Sequence, residues 1–161
     1  MKPQPKLCAA ISKASEAGIS VFASAPNVKM SEKIPFPAGS STVCAIGASD
    51  DCGKRADFTS PKAAFMFPGV DLLSAYPRYL SDDPEAMRKL SGCSMACAIA
   101  AGTACRILEI ATICSGAKVD FESVFELLAK QGGYVMPWEG AIPGDEDNPT
   151  SWLRGRFLLN S

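Results

Sequence analysis

The 161 residues contain no histidine. Imidazole is the side chain that most often takes up a proton at neutral pH, so a serine-histidine or cysteine-histidine mechanism confined to these residues is excluded. Charge of either sign is also without excess. The 16 Lys and Arg stand against 17 Asp and Glu, a net charge of -1, which leaves no field to draw in nucleic acid or an anionic membrane. Cysteines at positions 8, 44, 52, 93, 97, 105 and 114 form no Cys-x-x-Cys pair and are odd in number, which signals neither a closed disulfide framework nor a zinc ribbon. Most are expected to be small buried hydrophobes. No internal repeat, low-complexity tract or run of eighteen apolar residues occurs. The opening "MKPQPKLCAAISKASEAG" has prolines and charges where a secretory signal requires an unbroken apolar core. The expectation is a soluble, cytoplasmic chain with no export signal and neither membrane nor nucleic acid as partner.

Hydrophobic residues, in contrast, make up 47% of the chain, enough for one domain that buries about two-thirds of its unfolded surface. Leu7, Ala10, Ile11 and Ala14 recur at helical spacing and Gly18 supplies a stop. "ISVFASA" (19–25) and "TVCAIGA" (42–48) read as strands buried on both faces of a parallel sheet. "SDDCGKRADFTSP" (49–61) is turn-rich, "FMFPGVDLLSAYP" (65–77) holds two short apolar runs broken by Pro68 and Gly69, and "RYLSDDPEAMRK" (78–89) reads as a charged surface loop. From Ser94 to about Cys114 almost every residue is small or apolar, interrupted mainly by Arg106 and Glu109, which predicts a helix enclosed within the domain. Phe121, Val124, Phe125 and Leu128 mark an amphipathic helix that starts near Asp120 and stops by Gly132. Residues 131–161 form a Pro- and Gly-rich, loop-rich tail.

The stretch "SGCSMACAIAAG" (91–102) delivers Ser94 to the start of the long helix through a glycine turn. Two roles are open to it from this stretch alone: an N-cap, for which serine is favoured, or a nucleophile. With its surroundings the stretch resembles the C-terminal half of the subtilisin-like serine proteases, the subtilases, whose Gly-Thr-Ser-Met-Ala-x-Pro motif opens a helix. Gly92, Ser94, Met95, Ala96 and Gly102 match it in register. "GISVFASAPN", "FPAGSSTVCAIGASDDCGKRADFTSP" and "FPGVDLLSAYP" are similar, in order, to the strand and loop carrying the family's oxyanion asparagine, its next strand and turn, and its Pro-Gly loop. The likeness covers roughly 7–110.

This resemblance implies an α/β fold, the C-terminal half of a doubly wound parallel sheet with helices on both faces, over residues 1–130. It implies Ser94 as the nucleophile position and Asn27 as oxyanion stabiliser, with Ala23, Ser24, Ala25 and Pro26 beside a peptide or protein substrate. Departures accompany it. Cys93 stands for the family's threonine, Ala98 for its proline, and Ile99 for a histidine that is not the catalytic one. Pro26 stands for a glycine lining the substrate pocket, which fixes φ and removes an N–H there. The family's aspartate and histidine precede its serine, and the expectation is that they lie in a segment upstream of Met1, the missing protease half. A half sheet would expose an unpaired strand edge and an apolar face, and be marginally stable by itself.

Without a base Ser94 is a poor nucleophile, so the chain alone is expected to be inactive. The alternative function is a non-catalytic module that binds peptides or protein partners. Cys93 and Cys97 sit near a positive helix end that lowers a thiol pKa, but have no imidazole to activate them, and as a metal pair they lack further ligands. No cofactor is expected. Calcium, which the family resemblance suggests, finds no ligand-loop spacing at Asp50 and Asp51, at Asp82 and Asp83, or at 145–147.

Overall fold

Helical spacing at the start of the chain closes into α1, Pro5–Glu16, in the computed structural model, which describes residues 4–28, 33–81, 86–115, 119–129 and 133–135. Pro5 occupies the first turn, where a missing N–H costs nothing. The helix ends as expected at Gly18, whose φ of 75° lies in the left-handed region. Three strands follow: β1 (Phe22–Ser24), β2 (Cys44–Ser49) and β3 (Phe65–Pro68). They pair in parallel in the order β1-β2-β3, with Phe22 beside Cys44 and Ile46 beside both Ser24 and Phe65. An antiparallel hairpin of β4 (Leu72–Ala75) and β5 (Met87–Leu90) leads into α2 (Cys93–Ser115), and α3 (Phe121–Leu128) comes last. Asp120 caps α3 by accepting from the Glu122 N–H.

The register places Phe22, Ile46, Phe65 and Phe67 on one face of the sheet. Phe125 of α3 meets the rings of Phe22, Phe65 and Phe67 there at 5.9, 5.5 and 5.0 Å between centroids. Helix α2 crosses the same three strands and contributes Cys93, Ala96, Ala100, Ala104 and Ile107 to the same core. This is the α/β architecture, parallel sheet and helices, that the family resemblance implied.

Five expectations change. The strand expected at 19–25, buried on both faces, is reduced to Phe22–Ser24, half-buried at Phe22 and Ala23 and exposed at Ser24, because among the described residues β1 has a neighbour on one side only. Part of the charged loop expected at 78–89 is β5. Its register opposite β4 puts Arg88 over the Tyr76 ring at 5.1 Å, and pairing overrides the weak strand propensity of Met-Arg-Lys. Helix α3 stops at Leu128, where the Ala129 N–H closes on the Phe125 carbonyl; Gly132 lies outside the described residues. Within the expected tail, Gly133–Val135 pair with β3, the Met66 N–H donating to Gly133 and the Val135 N–H to Met66, both at 2.8 Å. Residues 136–161, with the acidic run at 145–147, lie outside the described residues, as do Asp82 and Asp83.

The fifth correction concerns α2, which the described residues do not enclose. Cys93, Ala96, Ala100, Ala104 and Ile107 are buried, whereas Ala98, Ala101, Gly102 and Cys105 are exposed and Ile113 is 75% exposed. By length and composition α2 could cross a membrane, yet its buried side lies in the sheet's core. Arg106 and Glu109 pair with each other on its exposed side. A methyl group at Gly102 would meet nothing within 4 Å. Gly102→Ala is therefore expected to stabilise the chain by about 0.5–1 kcal/mol, raising the midpoint of thermal unfolding by roughly 2–4 °C. A fall in the circular-dichroism melting temperature would show that another group already occupies that space.

Candidate active site

The carboxyl ends of parallel strands are where open α/β sheets place their ligands, and three segments leaving those ends converge on the start of α2. Gly69, just past β3, donates its N–H to the Ser49 carbonyl at 2.9 Å, and its own carbonyl accepts from the Gly92 N–H at 2.8 Å. A side chain cannot be added at this crossing. A Cβ on Gly69 would lie 2.6 Å from the Ala48 Cβ and 2.9 Å from the Gly92 carbonyl oxygen. Ser91 fixes the preceding residue, accepting from the Asp71 N–H at 2.9 Å and donating to its carboxylate at 3.2 Å. From below, the buried Thr59 hydroxyl donates to the Ala48 carbonyl and accepts from its N–H, while standing 3.5 Å from Cys93 Sγ.

Asn27, two residues beyond the buried Ala25, reaches across to this point. Its Oδ1 accepts the Cys93 N–H at 2.7 Å. A Cβ on Gly92 would sit 3.1 Å from its Nδ2, so the amide packs against the glycine that precedes α2. The first turn of any helix carries four N–H groups without intrahelical partners. At α2 the Gly92 N–H goes to the Gly69 carbonyl, that of Cys93 to Asn27, and that of Met95 to the Gly92 carbonyl at 3.0 Å. Ser94 supplies the remaining one, and neither it nor the Ser94 hydroxyl has a hydrogen-bond partner among the described residues. An exposed side chain, Ser94, thus sits at a positive helix end with an uncommitted N–H, and the Asn27 amide is tied to the same turn through Cys93.

Ser94 is not the helix cap. It is the second residue of α2, and the first N–H of the helix is capped from another element by Asn27. Ala23 and Ser24 lie on β1 and lead through Ala25 to the half-buried Pro26 and the exposed Asn27. Sequence reasoning missed Thr59, Gly69 and the Ser91–Asp71 tie as supports of the turn; no local signal marks contacts between segments so far apart.

The cysteines also depart from expectation. Among the described residues only Cys93 is fully buried, while Cys52 and Cys105 are exposed. Burial pushes the Cys97 thiol up, with Cys93 adding to the shift, so desolvation outweighs the helix end there. Burial, followed by Glu122 and Cys97, pushes Cys44 up to about 12. Neither is a thiolate at neutral pH. The ligand atoms of Asp50, Asp51 and Cys52 lie within 4.8 Å of one another, but the Asp50 carboxylate already accepts from the Cys52 and Lys54 N–H groups, as a turn does without an ion. A cavity of about 660 Å³, lined by Cys44, Ala45, Lys62 and Glu122 among others, opens at the opposite ends of the strands and includes neither Asn27 nor Ser94.

The model of the subtilase family matches residues 2–120. Subtilisin DY of Bacillus licheniformis is 38% identical over 105 residues, which are 62% of this chain and 36% of that protein. Among solved structures, the prenylagaramide maturation protease PagA superposes with a TM-score of 0.70 at 26% identity, covering 86% of this chain and 55% of that one. The patellamide maturation protease PatA gives 0.64 at 27% identity, covering 92% and 50%. The chain therefore spans about a third of the curated relative and about half of the solved ones.

Proposed function

The chain belongs to the subtilase family, and from that premise we propose that it supplies the nucleophile-bearing half of a serine endopeptidase site. Ser94 is the attacking hydroxyl, Asn27 Nδ2 and the Ser94 N–H bind the oxyanion of the tetrahedral intermediate, and residues Ala23–Pro26 border the peptide. The base and the carboxylate that orients it come from outside these 161 residues, which contain no histidine. The observation that carries this reading is the 2.7 Å bond from the Cys93 N–H to Asn27 Oδ1. It ties the Asn27 amide to the head of α2 from another element, where a plain helix cap needs only a local serine, and the reading takes the remaining Nδ2 as the oxyanion donor. Family membership and the two maturation proteases among the solved relatives support a peptide as substrate.

A second reading, a non-catalytic peptide-binding module, draws on Pro26, which removes a backbone donor beside the substrate path. A fluorophosphonate that labels activated serines separates the two. The chain alone is expected to remain unlabelled, and to become labelled when co-refolded with the part of Subtilisin DY that carries the family's Asp and His, with Ser94→Ala silent throughout. Labelling of the isolated chain at a similar rate would overturn the need for an external base. Silence in both preparations would favour the non-catalytic module.

A further inference from the structure

The cavity of about 660 Å³ lies away from the Ser94 turn, lined by Cys44 and Ala45 where β2 begins. Open α/β sheets place their ligands at the carboxyl ends of the strands, whereas this space opens at the amino ends, so the proposed peptidase chemistry leaves it unused. Its volume falls within the roughly 300–1,000 Å³ of small-molecule sites.

One wall is the loop before β2, which folds on itself. The Gly39 N–H donates to the Pro35 carbonyl at 3.0 Å, the Ser40 N–H to that of Pro37 at 2.9 Å and the Val43 N–H to that of Ser40 at 3.2 Å. Only glycine fits at position 39, since a Cβ there would collide with the Ile34 carbonyl oxygen. These turns hold Ser40 Oγ 3.2 Å from Thr42 Oγ1 and leave the Ser41 and Thr42 N–H groups without an acceptor among the described residues. Lys33, just before the loop, also lines the cavity, as does Lys62, whose own N–H is tied to Ser60 Oγ at 3.3 Å. Glu122, in the first turn of α3, is the one carboxylate among the described lining residues.

The lining selects the sign of a ligand. Two ammonium groups against one carboxylate repel a metal ion and attract an anion, in a chain whose net charge is -1. Lysine binds phosphate as a point charge, and the Ser40, Ser41 and Thr42 hydroxyls with two spare N–H groups suit the three acceptor oxygens of a phosphate ester. Phosphate alone fills little of such a volume. An ionised Glu122 only accepts hydrogen bonds, so the rest of the ligand has to bring hydroxyl groups. We propose that the cavity binds a small hydroxylated phosphate ester, its phosphate held by Lys33 and Lys62 and its hydroxyls by Glu122. This site is separate from Ser94 and stands whether or not that residue is a nucleophile.

Isothermal titration calorimetry of the full chain with ribose 5-phosphate at low salt is expected to give a Kd of about 1 mM or tighter. Lys33→Ala and Lys62→Ala, both at exposed positions, are each expected to weaken binding about tenfold, as loss of a charge-assisted hydrogen bond does. Lys54→Ala, at an exposed lysine outside the cavity, should leave it unchanged. Glu122→Ala should narrow the preference for the ester over inorganic phosphate. Cys44 lines the cavity and Cys52 does not, so the bound ester is expected to slow iodoacetamide alkylation of Cys44 at pH 9 severalfold and to spare the rate at Cys52. Absence of binding overturns the proposal, as does an equal loss in Lys54→Ala, which reduces the effect to general surface charge. Citrate binding as tightly overturns the choice of phosphate, and inorganic phosphate binding as tightly overturns the hydroxylated body. Binding that leaves Cys44 unprotected places the ester elsewhere and overturns the site.

Discussion

In the completed enzyme Asn27→Ala is expected to lower turnover by about 10²–10³-fold, a magnitude carried over from subtilisin itself, the family's own worked case. Asn27→Asp should lower it at least as far, yet the two variants should differ in what they do to α2. The proposed function gives Asn27 two jobs at its two amide atoms. Its Oδ1 accepts the Cys93 N–H at 2.7 Å, and its Nδ2 would donate to the oxyanion. Alanine removes both, leaving an N–H at the head of α2 unmatched at about 1 kcal/mol, the usual loss for a deleted cap. Aspartate keeps the acceptor, and its charge suits a helix N-terminus, worth about 0.3–1 kcal/mol. It has no donor, however, and sets a negative charge where the oxyanion develops. Steady-state turnover paired with hydrogen exchange at the Cys93 and Met95 amides therefore resolves the roles: turnover falls in both variants, and exchange quickens only in Asn27→Ala. Full turnover in Asn27→Asp would mean that the side chain acts as a cap and nothing more.

That dual role could not be found by reading along the chain. Periodicity located α1, β2 and α3, because each has a regular apolar repeat and a helix-stopping glycine, a run of β-branched and small residues, or an acidic cap. The ordered motifs around Asn27 and Ser94 marked both as site residues, since sparse signals in a fixed order survive many substitutions. What escaped was set by partners distant in sequence. Asn27 and Cys93 are separated by 66 positions, so Ser94 looked like its own cap. Helix α2 is rich in Ala, Gly and Cys on every side, so its composition predicted enclosure, and only the structure shows that among the described residues one side has no cover. In β5 the charges of Arg88 and Lys89 suggested a loop, although an exposed strand carries charge as readily. The thiols were misjudged for the same reason: Cys52 and Cys105 have apolar character but no neighbour to bury them.

Replacing Phe125 by alanine is expected to abolish cooperative unfolding of the isolated chain. Phe125 is fully buried, and besides the rings of Phe22, Phe65 and Phe67 it meets Phe121 at 6.4 Å, so one side chain ties α3 to the first and third strands. Truncating a buried phenylalanine costs about 3–5 kcal/mol through lost transfer energy and the cavity left behind, and its edge-on ring contacts are worth about 0.5–1.5 kcal/mol per pair beyond that. Whole domains hold only about 5–15 kcal/mol. A chain with an open strand edge and an uncovered helix face belongs at the low end of that range, so one truncation removes most of what it has. Phe121→Ala is the matched control: half-buried at the rim of the cluster, it should lower the urea midpoint while leaving a single transition. Near-UV circular dichroism against urea distinguishes the outcomes, and an unchanged midpoint in Phe125→Ala would refute a core organised about this ring. The effect reaches the site through β1. Phe22 rests on Phe125, and the strand that Phe22 begins ends three residues before Asn27, so a chain that loses the ring loses the platform from which Asn27 reaches Cys93.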